Sequence, residues 1–270
     1  MIEARLPSAR RPVTRRFKFI GCEIIYREAC LLAATSPAQV DVEFLLKGLH
    51  DLPREGMLSR LQAAVDAVPL DRGYEAVLLG YARCNDGVVG LQARALPLVI
   101  PRAHDCITFF FGSRQAYQDY FDQHPGTYYL TTGWIERNAF GDSEYAYPAY
   151  GQQGVMAKLG LTESYASLVE KYGKENADFI IESTVGGLKH YSRSLYIEMG
   201  ACDERLFIER GRQEAAEKGW EYEVRKGEWS LLRRLFAGEW DEDFVIVHPG
   251  CRLVARNDAE VLAASAAQES

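Results

Sequence analysis

No stretch of this 270-residue chain approaches the roughly 20 consecutive apolar residues that a membrane-spanning helix requires. No Cys-x-x-Cys pair occurs among its six cysteines, so the local signature of a zinc ribbon or a thioredoxin-like redox motif is missing. A Walker-type phosphate loop, a Gly-x-Ser-x-Gly elbow and a His-Glu-x-x-His helix are also absent. Their absence removes the motif grounds for a P-loop nucleotidase, an α/β-hydrolase or a zincin protease. The glycines from Gly80 to Gly90 do not fit Gly-x-Gly-x-x-Gly, which argues against a dinucleotide fingerprint. Positive charge is scarce: 31 Lys and Arg against 38 Asp and Glu leave a net charge of −7. Nucleic-acid affinity rests on cationic surface, so no nucleic-acid partner is expected, and no membrane association.

The basic residues that do cluster, Arg10, Arg11, Arg15, Arg16 and Lys18, lie near the start, and residues 1–16 read as a flexible basic arm. Arg15-Arg16 ahead of Phe17–Ile25 has the look of a twin-arginine export signal. Lys18 and Glu23 break that apolar run and no small-residue cleavage site follows, so it reads as a first core strand.

What the chain has is ordinary globular material, 47% hydrophobic and 26% charged. That is enough for a core without disulfide staples, and it suits a cytoplasmic protein. Continuous apolar runs such as Ala76-Val77-Leu78-Leu79 are typical of parallel strands buried on both faces. Strands are expected at Phe17–Cys22, Val42–Leu46, Tyr74–Gly80, Leu96–Ile100, Thr127–Thr131, Ser194–Met199, Trp220–Val224 and Phe244–Val247. Helical spacing marks Glu23–Ala34, Met57–Val68, Thr162–Tyr172, Lys174–Val185, Arg205–Lys218 and Trp229–Phe236. Ile107–Phe111 fits a helix or a strand, and Asp105 as an N-cap favours the helix. A second helix starts at Gly112-Ser113. The alternation implies an α/β fold: a mainly parallel sheet with helices on both faces, in Rossmann-like layers. Residues 17–256 read as a single domain, with a possible break into two lobes near 140–160. Residues 257–270 form an Ala- and Ser-rich tail, read as a frayed helix. The aromatic stretch Tyr145–Tyr150 suits a pocket lid or a dimer contact.

Ligands of open parallel sheets bind beyond the carboxyl ends of the strands, and three cysteines fall there. Cys22 follows the first strand, Cys84 the Leu78-Leu79 strand and Cys106 the Val99-Ile100 strand. Buried thiols serve as small hydrophobes or as converging soft ligands, and neighbouring strand ends are close enough for three sulfurs to share one ion or cluster. Three protein ligands leave one position open for substrate. His104 is a candidate fourth ligand or base, or a hydrogen-bonded loop histidine. Arg102 could face an anionic substrate or a surface partner. Gly112 and Ser113 could offer amides to an anion. Thr131-Thr132-Gly133-Trp134 reads as a loop on the binding rim, with Thr132 and Trp134 as substrate contacts and Glu136 as a candidate acid or base. His248 and Cys251 also end a strand. Cys30 and Cys202 read as structural.

The segments Gly21-Cys22-Glu23, Leu49-His50-Asp51-Leu52-Pro53, Gly80-Tyr81-Ala82-Arg83-Cys84 and Pro101-Arg102-Ala103-His104-Asp105-Cys106-Ile107 resemble motifs of the DUF1638 proteins. Gly112-Ser113, Pro125-Gly126-Thr127-Tyr128-Tyr129-Leu130 and Gly133-Trp134 complete a pattern over roughly residues 17–250. Where that pattern has a Gly-Leu-Cys-Gly-type loop, this chain has Ala82-Arg83-Cys84-Asn85, which keeps the cysteine. The resemblance singles out Cys22, Cys84 and Cys106 and carries no activity. It implies only an association with corrinoid-dependent methyltransferases. The expectation is therefore a metalloenzyme with a three-cysteine zinc or [4Fe-4S] iron–sulfur site, a Lewis acid for methyl transfer or lyase chemistry on a small-molecule substrate. The alternatives are an accessory protein that delivers metal, cluster or corrinoid to a methyltransferase partner, and a metal-free protein with three buried thiols. Homo-oligomers fit any of these.

Overall fold

The structure, a computed structural model, describes residues 14–139, 174 and 191–266. The expected helices at Thr162–Tyr172 and Lys174–Val185, the aromatic stretch and the lobe break fall almost wholly outside them.

The first sheet is built from β1 (Arg16–Cys22), β2 (Gln39–Leu45), β3 (Ala76–Gly80), β4 (Leu98–Pro101) and β8 (Phe244–Val247), in the order β2-β1-β3-β4-β8. β1 to β4 run parallel and β8 closes the edge antiparallel. Every residue of β3 and β4 is buried, so the apolar runs in the sequence correspond to strands covered on both faces. The chain leaves β1 to form β2 on one side and then returns to form β3 on the other. The strand order thus reverses between β1 and β3, and such a switch point opens a crevice at the carboxyl ends of those two strands.

A second, all-parallel sheet holds β5 (Thr127–Leu130), β6 (Arg193–Glu198) and β7 (Glu221–Lys226). The helices are α1 (Tyr26–Thr35), α2 (Arg54–Asp66), α3 (Ile107–Phe111), α4 (Arg114–Gln123), α5 (Thr132–Ala139), α6 (Arg205–Glu217) and α7 (Ser230–Ala237). α1 and α7 pack together, and the Phe236 ring of α7 lies 4.8 Å from that of Phe19 on β1. Among the described residues no helix is long and apolar enough to cross a membrane.

Three local expectations are corrected. The supposed rim loop at Thr132-Gly133-Trp134 is the first turn of α5, because the Thr131 hydroxyl accepts the Trp134 amide at 3.2 Å and caps the helix. The tail forms a strand, not a frayed helix: β10 (Leu262–Ala266) pairs antiparallel with β9 (Cys251–Ala255), and backbone pairing outweighs the helix propensity of its alanines. The basic arm ends earlier than expected. Arg15 donates to Glu75 and to the Gly238 carbonyl, and Arg16 opens β1 with its guanidinium on Asp41 at 2.8 Å.

Candidate functional site

Cys22 closes β1 and leads into a 3-10 turn, Glu23–Ile25. Cys84 opens a second turn, Cys84–Asp86, beyond β3. Cys106 precedes α3. The loops after β3 and β4 continue the sheet by one more rung: the Arg83 amide donates to the Ala103 carbonyl at 2.9 Å and the Cys84 amide to His104 at 3.1 Å. That rung lays Cys84 alongside His104-Asp105-Cys106. The register Gly21 opposite Gly80 brings Cys22 to the same edge.

Neighbouring backbone amides act on all three thiols in the direction that favours the thiolate. Those of Ala82, Cys84 and Cys106 serve Cys84, that of Ile24 serves Cys22, and Cys106 uses its own. Burial pushes the Cys22 and Cys84 thiols up to about 12, and Cys106 well above its ordinary value. Like charge adds to this: Cys84 acts on Cys22, Asp105 on Cys84, and Cys84, Asp105 and Cys22 on Cys106. The thiols thus share one poorly solvated region that disfavours three anions without a counter-charge. As they stand, no group of three or more His, Cys, Asp and Glu side chains among the described residues is arranged to hold a metal ion. The donor chemistry nevertheless fits a thiophilic metal: three soft ligands share one poorly solvated region. A further fit is the Tyr81 hydroxyl, buried without a hydrogen-bond partner and within the electrostatic reach of Cys22 and Cys84.

α5 forms the wall beside Cys22. A Cβ at Gly133 would stand 1.8 Å from the Ile24 carbonyl oxygen, so only glycine lets the helix press onto the turn that carries Cys22. Lys47 lies 4.2 Å over the Trp134 ring, its amide donates to Glu23 at 2.8 Å, and Arg137 approaches Glu23 at 3.7 Å.

The other candidates have structural partners. Arg102 sets its guanidinium on the Glu260 carboxylate at 2.6 Å and on the Glu260 and Leu262 carbonyls, tying β4 to the hairpin. Glu136 takes both ends of the Arg27 guanidinium, at 2.8 and 2.9 Å. Ser113 accepts the Ala116 amide at 3.1 Å as the cap of α4. Gly112 ends α3 at φ +75°, and its carbonyl accepts the Ser230 hydroxyl. Thr132 bonds the Tyr196 hydroxyl at 2.8 Å, and the Trp134 indole donates to Tyr128 at 3.3 Å. The His104 side chain is exposed. Asp105 holds the Ile107 amide at 3.0 Å and the Tyr117 hydroxyl at 2.9 Å. His248 and Cys251 sit at the opposite edge of the sheet, because antiparallel β8 ends with Val247 beside Leu98, the first residue of β4.

Sequence reasoning missed Tyr81, whose significance needs the strand register. It also missed Glu28, a buried carboxyl on α1 near Glu204, although an acid among Ile24, Ala29 and Leu32 breaks that apolar stripe. A shallow hollow of about 30 Å³ lined by Phe110, Phe111, Ile197, Arg225, Lys226 and Glu228 includes none of the three thiols.

Fold and site together define a mixed α/β protein that carries three thiols at the carboxyl ends of its parallel strands. The chain belongs to the DUF1638 family: the family model, described as a protein of unknown function, matches residues 44–236. That span is narrower than the 17–250 suggested by the motifs. It includes Cys84 and Cys106 and begins after Cys22, so Cys22 joins the set on geometry. No curated protein and no solved structure matches the chain.

Proposed function

We propose that this protein is a metalloenzyme of small-molecule metabolism in which Cys22, Cys84 and Cys106 hold zinc or a [4Fe-4S] cluster. When bound, the group supplies a Lewis acid with a position open to a small polar substrate, as methyl-transfer or lyase chemistry requires. The observation that supports the reading is that the three thiols, at neighbouring strand ends, share one poorly solvated region in which each lies within electrostatic reach of another. The chain's contribution is to carry those sulfurs at three strand ends, to press α5 onto the turn that follows Cys22, and to keep Glu23 engaged by Lys47 and Arg137. A reducing, cytoplasmic compartment suits six free thiols.

Elemental analysis and visible spectroscopy of protein purified without oxygen test the proposal. Stoichiometric zinc, or iron with a brown charge-transfer band, is expected in the natural chain. Cys22→Ala, Cys84→Ala and Cys106→Ala should each lose it, while Cys30→Ala and Cys251→Ala keep it. Folded, metal-free natural protein that does not take up zinc or a reconstituted cluster overturns the reading.

A further inference from the structure

Tyr81 is 1% exposed and is among the largest fully buried side chains of the protein. Its hydroxyl has no hydrogen-bond partner among the described residues. Burying a hydroxyl unmatched is unfavourable, and phenylalanine would fill nearly the same volume without that penalty. Its place in the sheet suggests why a tyrosine stands there. Gly21 and Gly80 are the last partners in the parallel register of β1 and β3, so Cys22 and Tyr81 each follow directly from that final pair, at the same end of the two strands. The charges that act on the phenol are, in order, those of Cys22, Cys84, Glu23 and Glu43. The hydroxyl thus lies within electrostatic reach of two of the three thiols, yet bonds to neither.

A desolvated donor beside two such sulfurs is accounted for if its acceptor is brought by whatever the sulfurs hold. Building on the three-thiol reading above, we infer that Tyr81 is a positioning residue: its O–H donates to an anionic sulfur or oxygen of the group bound by Cys22, Cys84 and Cys106. The hydroxyl that is unmatched in the empty protein is satisfied in the loaded one. Removing it should thus act with opposite sign on the two states, which a merely structural side chain would not do.

The test compares natural protein with Tyr81→Phe, both prepared without metal and without oxygen. Cobalt(II) serves as the probe, since its thiolate charge-transfer bands report ligation directly. The expected result is a thermal midpoint of the metal-free variant equal to or above that of the natural chain. Its cobalt affinity, measured by competition with a chelator, should be about 10- to 100-fold weaker, as for other outer partners of metal ligands, with a shifted charge-transfer band. Unchanged affinity and spectrum would overturn the inference, as would a lowered midpoint in the metal-free variant. If the natural chain takes up neither cobalt nor a reconstituted cluster, the three-thiol reading fails, and this inference fails with it; if it takes up only the cluster, the same comparison is made on the visible spectrum and yield of the reconstituted cluster, and no difference between the two proteins overturns the inference alone.

Discussion

Raising the pH from 5 to 8 should weaken the fold through one side chain, Glu28. The residue sits on α1 with 1% of its surface exposed, and neither carboxyl oxygen meets a hydrogen-bond donor among the described residues. Burial is the main cause that lifts its pKa from 4.5 to about 7, and the nearby Glu204 carboxylate adds to it. Glu204 cannot turn away, because it accepts the Tyr196 hydroxyl at 2.9 Å and the Gly200 amide at 2.6 Å. An acid with a raised folded-state pKa keeps a proton that the unfolded chain releases. Stability therefore falls as the pH climbs from 4.5 through about 7 and then levels off. At 1.36 kcal/mol per pH unit, the separation between those values amounts to about 3 kcal/mol. Urea denaturation of metal-free natural protein and of Glu28→Gln, at intervals between pH 4.5 and 8, measures it. The natural chain should lose about 3 kcal/mol more than the variant across that interval. The absolute stability of the variant is not diagnostic, since a buried glutamine amide has desolvation costs of its own. Parallel profiles for the two proteins would refute the argument, by showing that Glu28 ionises in its ordinary range.

Two further substitutions separate architecture from chemistry. Gly133→Ala would drive a methyl group into the Ile24 carbonyl; neither backbone can yield cheaply, so a loss of about 3 kcal/mol is expected in urea denaturation, together with weaker metal uptake as the Cys22 turn shifts. Natural stability in that variant would mean that α5 does not press on the turn. Ser113→Ala removes a helix cap and should cost about 1 kcal/mol while leaving metal content and metal affinity unchanged; a change in either would place Ser113 in the binding machinery.

Much of the fold was legible because its signals are local. Ala76-Val77-Leu78-Leu79 announced a strand covered on both faces, and β3 is buried throughout. Asp105 announced the start of α3, and its carboxylate does hold the Ile107 amide. The misreadings arose where a local cue competed with a distant one. Thr131 looked like the end of a strand followed by a loop, because a β-branched residue favours strands. Its hydroxyl in fact caps α5, and the helix holds its place only because Gly133 can meet Ile24, more than a hundred residues earlier. Likewise the alanines of the tail gave no hint that Leu262–Ala266 would find Cys251–Ala255.

The site shows the same division between local and distant information. Strand ends placed the three thiols at one edge of the sheet, a conclusion that needs only the parallel topology. Which candidate side chains remain available for chemistry depends on partners far along the chain. Arg102 is held by Glu260, and Glu136 by Arg27. No spacing rule encodes those pairings. Arginines and carboxylates that look catalytic at a strand end are drawn into ion pairs that join the layers. A protonated thiol cannot be drawn into an ion pair of that kind. At the switch between β1 and β3, the Tyr81 hydroxyl has no hydrogen-bond partner among the described residues. For these reasons we rest the proposed chemistry on the thiols and this hydroxyl and not on the charged residues.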